Sequence, residues 1–360
     1  MPQSFFSGHG RAGRYVEDNG KQQWAMRAGP REQIFFEPDK VKAAIVTCGG
    51  LCPGLNDVIR QLVITLDEYG VKDIKGIRYG YRGFFEQEGE LREPLQLTPR
   101  MVDTIHLEGG SILGSSRGGA ETSVIVDSIA DMQLDFLFVI GGNGSHAGAN
   151  AIYEMCKERG LCTSVIGIPK TIDNDILLLD RTFGFQTAVD EAIKSIRSGA
   201  IEARSAYNGV GLIRLMGRQS GFIAMHAALA SGEVDVCLIP EISTPLDGPG
   251  GVLAHVRRVL EKKEHAVIVV AEGAGQDVLG QLEETDASGN PVLQNFAKYL
   301  MAEMKEKLAD TSLDIKYIDP TYMVRACPTN AADAIYCSTL AQNAVHGAFA
   351  GLTVGLDESS

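Results

Sequence analysis

One unit recurs along the chain from residue 43 onward: a short β-branched apolar run, a polar cluster containing Gly or Pro, then a segment with helical period. The runs span residues 43–47, 136–140, 165–168, 210–215, 236–239, 267–270 and 352–354. Being apolar without polar alternation, they predict an α/β fold in which a parallel sheet is covered on both faces by helices. A length of 360 residues predicts about two such domains at ~150 residues each. Residues 1–40 hold no sustained period and read as an N-terminal arm. Ser, Arg and Phe precede its first acidic residue, Glu17, a composition shared with transit peptides, although a plain arm is the preferred reading.

Chemistry concentrates in the cluster after each run. The clusters are Cys48-Gly49-Gly50, Gly141 to Ser145, Pro169 to Asp175, Met216-Gly217-Arg218, Pro240-Glu241 and Glu272-Gly273-Ala274-Gly275. In an open parallel sheet, ligands bind beyond the carboxyl ends of the strands, so all six are expected at one ligand cleft.

Composition narrows the ligand. With 33 Lys+Arg against 46 Asp+Glu the formal charge is −13, which disfavours a broad nucleic-acid-binding face. No apolar run reaches the ~18–20 residues of a membrane span and no h-region opens the sequence, so a cytoplasmic protein without membrane contact is expected. Seven cysteines without a CxxC pair fit reduced thiols, and Cys48 and Cys52 lack the Cys/His partners of a metal finger.

Gly142, Asn143, Gly144 and Ser145 follow a run and precede a helix-period segment at 147–155, so they offer backbone N–H groups to an anion such as phosphate, or else form a plain turn. The next run ends in Pro169-Lys170, without the acidic residue that a nicotinamide ribose requires, and no Walker A sequence occurs. Thr171, Asp173, Asn174 and Asp175 form a cluster able to bind Mg²⁺, accept a proton from a hydroxyl or cap a helix. Lys170 beside them favours a polyphosphate held near a base. Gly114-Ser115-Ser116-Arg117-Gly118 matches the G-x-S-x-G elbow, but no buried helix follows at once, so Arg117 reads as a phosphate-binding fork and Ser116 not as a nucleophile. Arg218, read at the start of a helix over 222–230, either meets a bound anion there or is a surface arginine. Lys316, Tyr322 and Arg325 by themselves read as a solvated face.

Gly49 to Asn56, Gly110 to Arg117, Pro169 to Asp175, Met216-Gly217-Arg218 and Ala271-Glu272-Gly273 together make the sequence similar to the 6-phosphofructokinase family, in its plant and trypanosomal ATP-dependent type, over residues 40–355. The resemblance implies two Rossmann-like domains with mainly parallel sheets: 41–185 plus 324–360 binding nucleotide and 186–323 binding sugar phosphate. It implies ATP-dependent phosphorylation of fructose 6-phosphate with Mg²⁺, by a homodimer or homotetramer. It gives Asp173 the role of base, with Asp175 and Lys170 as further catalytic groups. Gly50, Arg117, Gly118, Gly142, Asn143, Gly144 and Ser145 go to the phosphoryl donor, with Asn143 also at the metal. Thr171, Asp173, Met216, Gly217, Arg218, Glu272, Tyr322 and Arg325 go to the sugar phosphate, as does Lys316, whose place often serves a neighbouring subunit.

Three departures accompany the resemblance. Asn143 stands where most of the family has a metal-binding Asp, Gly209 where bacterial relatives have an arginine, and the chain stops at Ser360 where relatives usually continue. Pyrophosphate-dependent members carry Asp at the place of Gly144 and Lys at that of Lys170. Glycine leaves room for a nucleotide and implies ATP, with a pyrophosphate-dependent enzyme or a non-catalytic regulatory member as the alternatives.

Overall fold

The computed structural model describes residues 28–85, 93–117, 121–176, 179–280, 284–285 and 291–352, and the backbone alone of 15–18 and 21–24. In chain order the strands are β1 (Tyr15–Asp18), β2 (Lys21–Trp24), β3 (Lys42–Thr47), β4 (Asp73–Ile77), β5 (Leu95–Gln96), β6 (Phe136–Gly141), β7 (Ser164–Pro169), β8 (Gly209–Leu215), β9 (Val236–Leu238), β10 (His265–Ala271) and β11 (Asp314–Ile318). The helices are α1 (Leu55–Tyr69), α2 (Pro99–Val102), α3 (Thr122–Met132), α4 (Asn143–Glu158), α5 (Phe185–Ser205), α6 (Phe222–Ser231), α7 (Val252–Lys263), α8 (Gln276–Leu279), α9 (Phe296–Lys307) and α10 (Ala331–Phe349). They divide between a first unit, residues 1–171, 176–184 and 327–360, and a second, residues 172–175 and 185–326.

The first unit is built on the sheet β5-β4-β3-β6-β7, parallel except for β5. Alternate side chains of its buried strands pack on opposite faces, as the period of two requires. Ala44, Val46, Leu137 and Val139 meet Ile125, Val126 and Ile129 of α3 and Ala149 and Ile152 of α4. On the other face Phe136 lies edge-on to Phe349 of α10, itself stacked on Tyr69 of α1. From β3 the chain leads through α1 to β4 on one side, and from β6 through α4 to β7 on the other. The carboxyl ends of β3 and β6 therefore form a topological switch point, the usual place for a ligand.

The second unit has the all-parallel sheet β11-β8-β10-β9. Val210, Leu212, Ile268 and Val270 share a core with Val256 and Leu260 of α7 and Leu300 and Met304 of α9. Glycines let α5 settle onto β8, since a Cβ at Gly211 would stand 2.6 Å from the Gly199 carbonyl oxygen. The chain leaves β8 through α6 toward β9 and leaves β10 through α9 toward β11, so these two neighbours supply a second switch point.

The sequence reading missed β4, β5 and β11. In β4, Asp73, Lys75 and Gly76 break the apolar run, and β11, an edge strand reading Asp-Ile-Lys-Tyr-Ile, is only partly buried and needs no continuous apolar stretch. Of the expected strand at 352–354, Leu352 is in no strand and the last two residues lie outside the described residues. The arm is more structured than its lack of period implied: β1 and β2 form an antiparallel hairpin, the Phe36 ring packs on Phe136 with centroids 4.8 Å apart, and the Phe35 N–H donates to the Phe349 carbonyl at 2.7 Å.

Candidate active site

At the switch point of the first unit, main-chain groups do most of the building. Gly142 precedes α4 and has no side chain to cap it. The Ser145 and His146 N–H groups turn back to the Gly142 carbonyl at 2.9 and 3.0 Å, which leaves the Asn143 and Gly144 N–H groups as first-turn donors of α4. Both are exposed, and a Cβ built on Gly144 meets no atom within 4 Å.

Three other segments are tied to this turn. The buried Lys170 donates through Nζ to the Gly50 carbonyl at 2.8 Å, and its own N–H to the Gly141 carbonyl at 2.9 Å. The Gly49 N–H bonds to the Ser116 carbonyl at 3.0 Å, and the Ser115 hydroxyl to the Gly49 carbonyl at 2.6 Å. Gly50, Lys170 and the Ser115–Ser116 stretch are thus one hydrogen-bonded assembly, from which Arg117 continues as an exposed side chain. Ser116 is a structural donor, its hydroxyl given to the Tyr79 carbonyl at 2.6 Å. Beyond this loop α3 starts at Thr122 and buries Ile125, Val126 and Ile129. Gly118 lies outside the described residues. Cys48 is a packing thiol: burial pushes it up to about 12, so it is protonated near neutrality.

Carboxylates and guanidinium groups dominate the second unit. Its segment 172–175 turns at Asn174, whose φ of 57° is in the left-handed region that Asn tolerates, separating Asp173 from the exposed Asp175. The Arg218 N–H approaches Asp173 Oδ2 at 3.5 Å, and the Ser220 hydroxyl donates to the Asp173 carbonyl at 2.8 Å. Burial first, then the charges of Asp175 and Glu272, push the Asp173 carboxyl up to about 7 against the opposing effect of Arg218.

The loops after β8 and β10 are bonded to each other. The Glu272 N–H donates to the Leu215 carbonyl and the Gly273 N–H to the Gly217 carbonyl, each at 2.8 Å. At Gly217, φ is 132° and a Cβ would stand 2.3 Å from the Ser220 carbonyl oxygen, so only glycine fits between Met216 and Arg218. Arg218 is not at a helix start. α6 begins four residues later, where the Gly221 N–H is taken by the Glu241 carboxylate at 2.8 Å, and Arg218 donates through Nη2 to the Pro291 carbonyl at 2.6 Å. Tyr322 and Arg325 share the turn after β11, with the guanidinium 4.9 Å from the centre of the phenol ring. Lys316 lies within β11, paired with Asp314 at 3.0 Å. Thr171 is the last residue of the first unit before this segment.

Residues 42–348 match the family model described as Phosphofructokinase. The chain belongs to the phosphofructokinase family. It is 58% identical over 340 residues to ATP-dependent 6-phosphofructokinase 5, chloroplastic, of Arabidopsis thaliana, covering 93% of this chain and 63% of that protein. To ATP-dependent 6-phosphofructokinase 1 of the same plant it is 53% identical, covering 92% of this chain and 71% of the relative. The phosphofructokinase structure of Pichia pastoris superposes with a TM-score of 0.69 at 22% identity, covering 86% of this chain and 32% of that one, and supports the fold.

Within the family fold, the Gly209 departure has a steric cause: it opens β8 against α5, where a Cβ would be 2.1 Å from the Ala203 carbonyl oxygen. No arginine fits on that backbone. Among the described residues, no helix is long and apolar enough to cross a membrane. The sequence reading missed Arg214, whose guanidinium lies 3.4 Å from Glu272 and 3.1 Å from Asp319. An arginine inside the otherwise apolar run 210–215 was the available signal, because a charge in a covered strand needs partners.

Proposed function

We propose that this chain transfers the terminal phosphoryl group of ATP to the 1-hydroxyl of fructose 6-phosphate. The first unit takes the donor, on the Asn143 and Gly144 amides with Arg117, Lys170 and the Gly50 loop. The second takes the sugar phosphate, through Arg218, Glu272, Tyr322, Arg325 and Lys316. Asp173 removes the hydroxyl proton, the sugar oxygen bonds to phosphorus, and ADP leaves with the bridging oxygen. The observation that carries this reading is the placement of Asp173, with the Arg218 N–H 3.5 Å from its Oδ2 and the Ser220 hydroxyl on its carbonyl, where burial pushes the carboxyl up and makes it basic enough to receive a proton.

ATP is favoured as donor by the open space at Gly144. Mg²⁺ on a nucleotide needs only one or two protein oxygens besides phosphates and water, and the exposed Asn143 at the start of α4 would supply one. When bound, it neutralises charge on the phosphoryl oxygens. All seven cysteines are free, which supports a reducing compartment, the cytoplasm in our reading; the chloroplastic relative makes a plastid the competing address, to be decided by cell fractionation. Assembly as a homodimer or homotetramer is checked by light scattering.

The test is turnover of the purified chain with fructose 6-phosphate, Mg²⁺ and either ATP or pyrophosphate. Faster turnover with ATP is expected. Faster turnover with pyrophosphate overturns the donor assignment, and sugar-phosphate binding without turnover on either donor overturns the enzymatic reading.

A further inference from the structure

Arg214 is the one charged side chain in β8, where Val210, Leu212, Ile213 and Leu215 are buried. Its side chain is 16% exposed and divides its guanidinium between two acids, Nη1 lying 3.1 Å from Asp319 Oδ2 and Nη2 3.4 Å from Glu272 Oε1. Asp319 is also the hub of the turn after β11. It accepts the Tyr317 hydroxyl at 3.1 Å on Oδ2, and both the N–H and the hydroxyl of Thr321 on Oδ1. The ladder between β8 and β11 ends one residue before Arg214, at Ile213 opposite Ile318. Where main-chain pairing stops, the guanidinium takes over the link and joins the turn carrying Tyr322 and Arg325 to the loop carrying Glu272.

We propose that Arg214 is a positioning residue for the sugar-phosphate site, holding the Glu272 carboxylate and, through Asp319, the Tyr322–Arg325 turn in the arrangement that receives the ligand without touching it. The inference rests on the reading that the second unit takes fructose 6-phosphate. A neutral residue at 214 loosens both acids at once. It also leaves the Glu272 charge uncompensated toward Asp173, which is faced by Asp175 from its own segment, by Arg218 from the loop after β8 and by Glu272 from the loop after β10.

The experiment titrates fructose 6-phosphate into the full chain and its R214Q, R214K and D319N variants, with melting curves, ATP KM and pH–kcat/KM profiles alongside. R214Q is expected to weaken fructose 6-phosphate about tenfold or more, with ATP KM changed by about twofold at most and the acidic limb moved to higher pH. R214K should return the limb toward its parental position while recovering affinity only in part, since one ammonium cannot fork to two carboxylates. D319N should weaken the sugar phosphate in the same direction, and it decides the matter if R214Q does not fold. Parental fructose 6-phosphate affinity in both R214Q and D319N overturns the proposal, as does a joint loss of both ligands with a lowered melting temperature. A parental chain that binds no fructose 6-phosphate refutes instead the functional reading beneath it.

Discussion

In the proposed reading the two switch points solve the same problem, holding a phosphorylated ligand, with different materials. In the first unit the Asn143 and Gly144 amides, the Gly49–Gly50 turn and one buried lysine make the site, so side chains matter mainly by being absent. In the second, Asp173, Arg214, Arg218, Glu272 and Asp319 form a web of charges in which each side chain sets the position or ionisation of another. A backbone-built site tolerates little added bulk or charge, and Lys170 is the buried charged side chain it uses. A charge-built site is adjustable and sensitive to pH.

Substitutions can break this contrast. The largest effect is expected from Gly144→Asp, which should cut ATP-dependent activity by at least ~10²-fold by setting a carboxylate where donor phosphates approach. Because a Cβ at Gly144 meets nothing within 4 Å, the melting temperature should stay parental, and a variant equally active with ATP would remove the first unit from donor binding. Next, Arg218→Ala and Arg325→Ala should each weaken fructose 6-phosphate by roughly 10–100-fold, the loss of a charge-assisted bond of about 1.5–3 kcal/mol, while ATP affinity changes far less. Equal losses for both ligands in calorimetric titrations would mean that these arginines support the fold and do not read the sugar phosphate. A smaller effect, of several-fold, is expected from Asn143→Asp, which should lower the Mg²⁺ concentration for half-maximal activity because a hard cation prefers a charged oxygen. An unchanged requirement would assign the metal to other oxygens.

The smallest effect is on stability. The folded chain keeps the Asp173 proton up to about pH 7, whereas an unfolded carboxyl releases it near its ordinary 3.8. Between those values the folded state binds more protons, so this group makes stability fall as pH rises, and the deficit persists above pH 7. Asp173→Asn should therefore melt a few degrees above the parent at about pH 8 and together with it near pH 4. Coincident curves at both pH values would mean that Asp173 is not held near 7.

The contrast also decides how much could be read from the sequence. The turns of the first unit were legible because glycines after apolar runs mark turns by themselves, and Gly49, Gly50 and Gly142 lie in the loops after β3 and β6, whereas Gly144, read as part of the turn, is already in α4. Asp173 and Glu272 were legible as acids at strand ends. Arg214 was signalled only as a charge inside an apolar run and Asp319 not at all, because the two find each other across 105 residues of sequence and no spacing rule joins an arginine in β8 to a turn after β11. Arg218 was found for the wrong reason, since Glu241, not a bound anion, meets the start of α6.

On the charge-built side, the proposed reaction depends most directly on Asp173 as proton acceptor. Its test is the kcat of Asp173→Asn with saturating ATP, Mg²⁺ and fructose 6-phosphate, beside a titration of the sugar phosphate into the same variant. The expected result is a kcat lowered by at least ~10²-fold with fructose 6-phosphate binding retained, because only the proton acceptor is lost. Turnover close to the parental rate would contradict it.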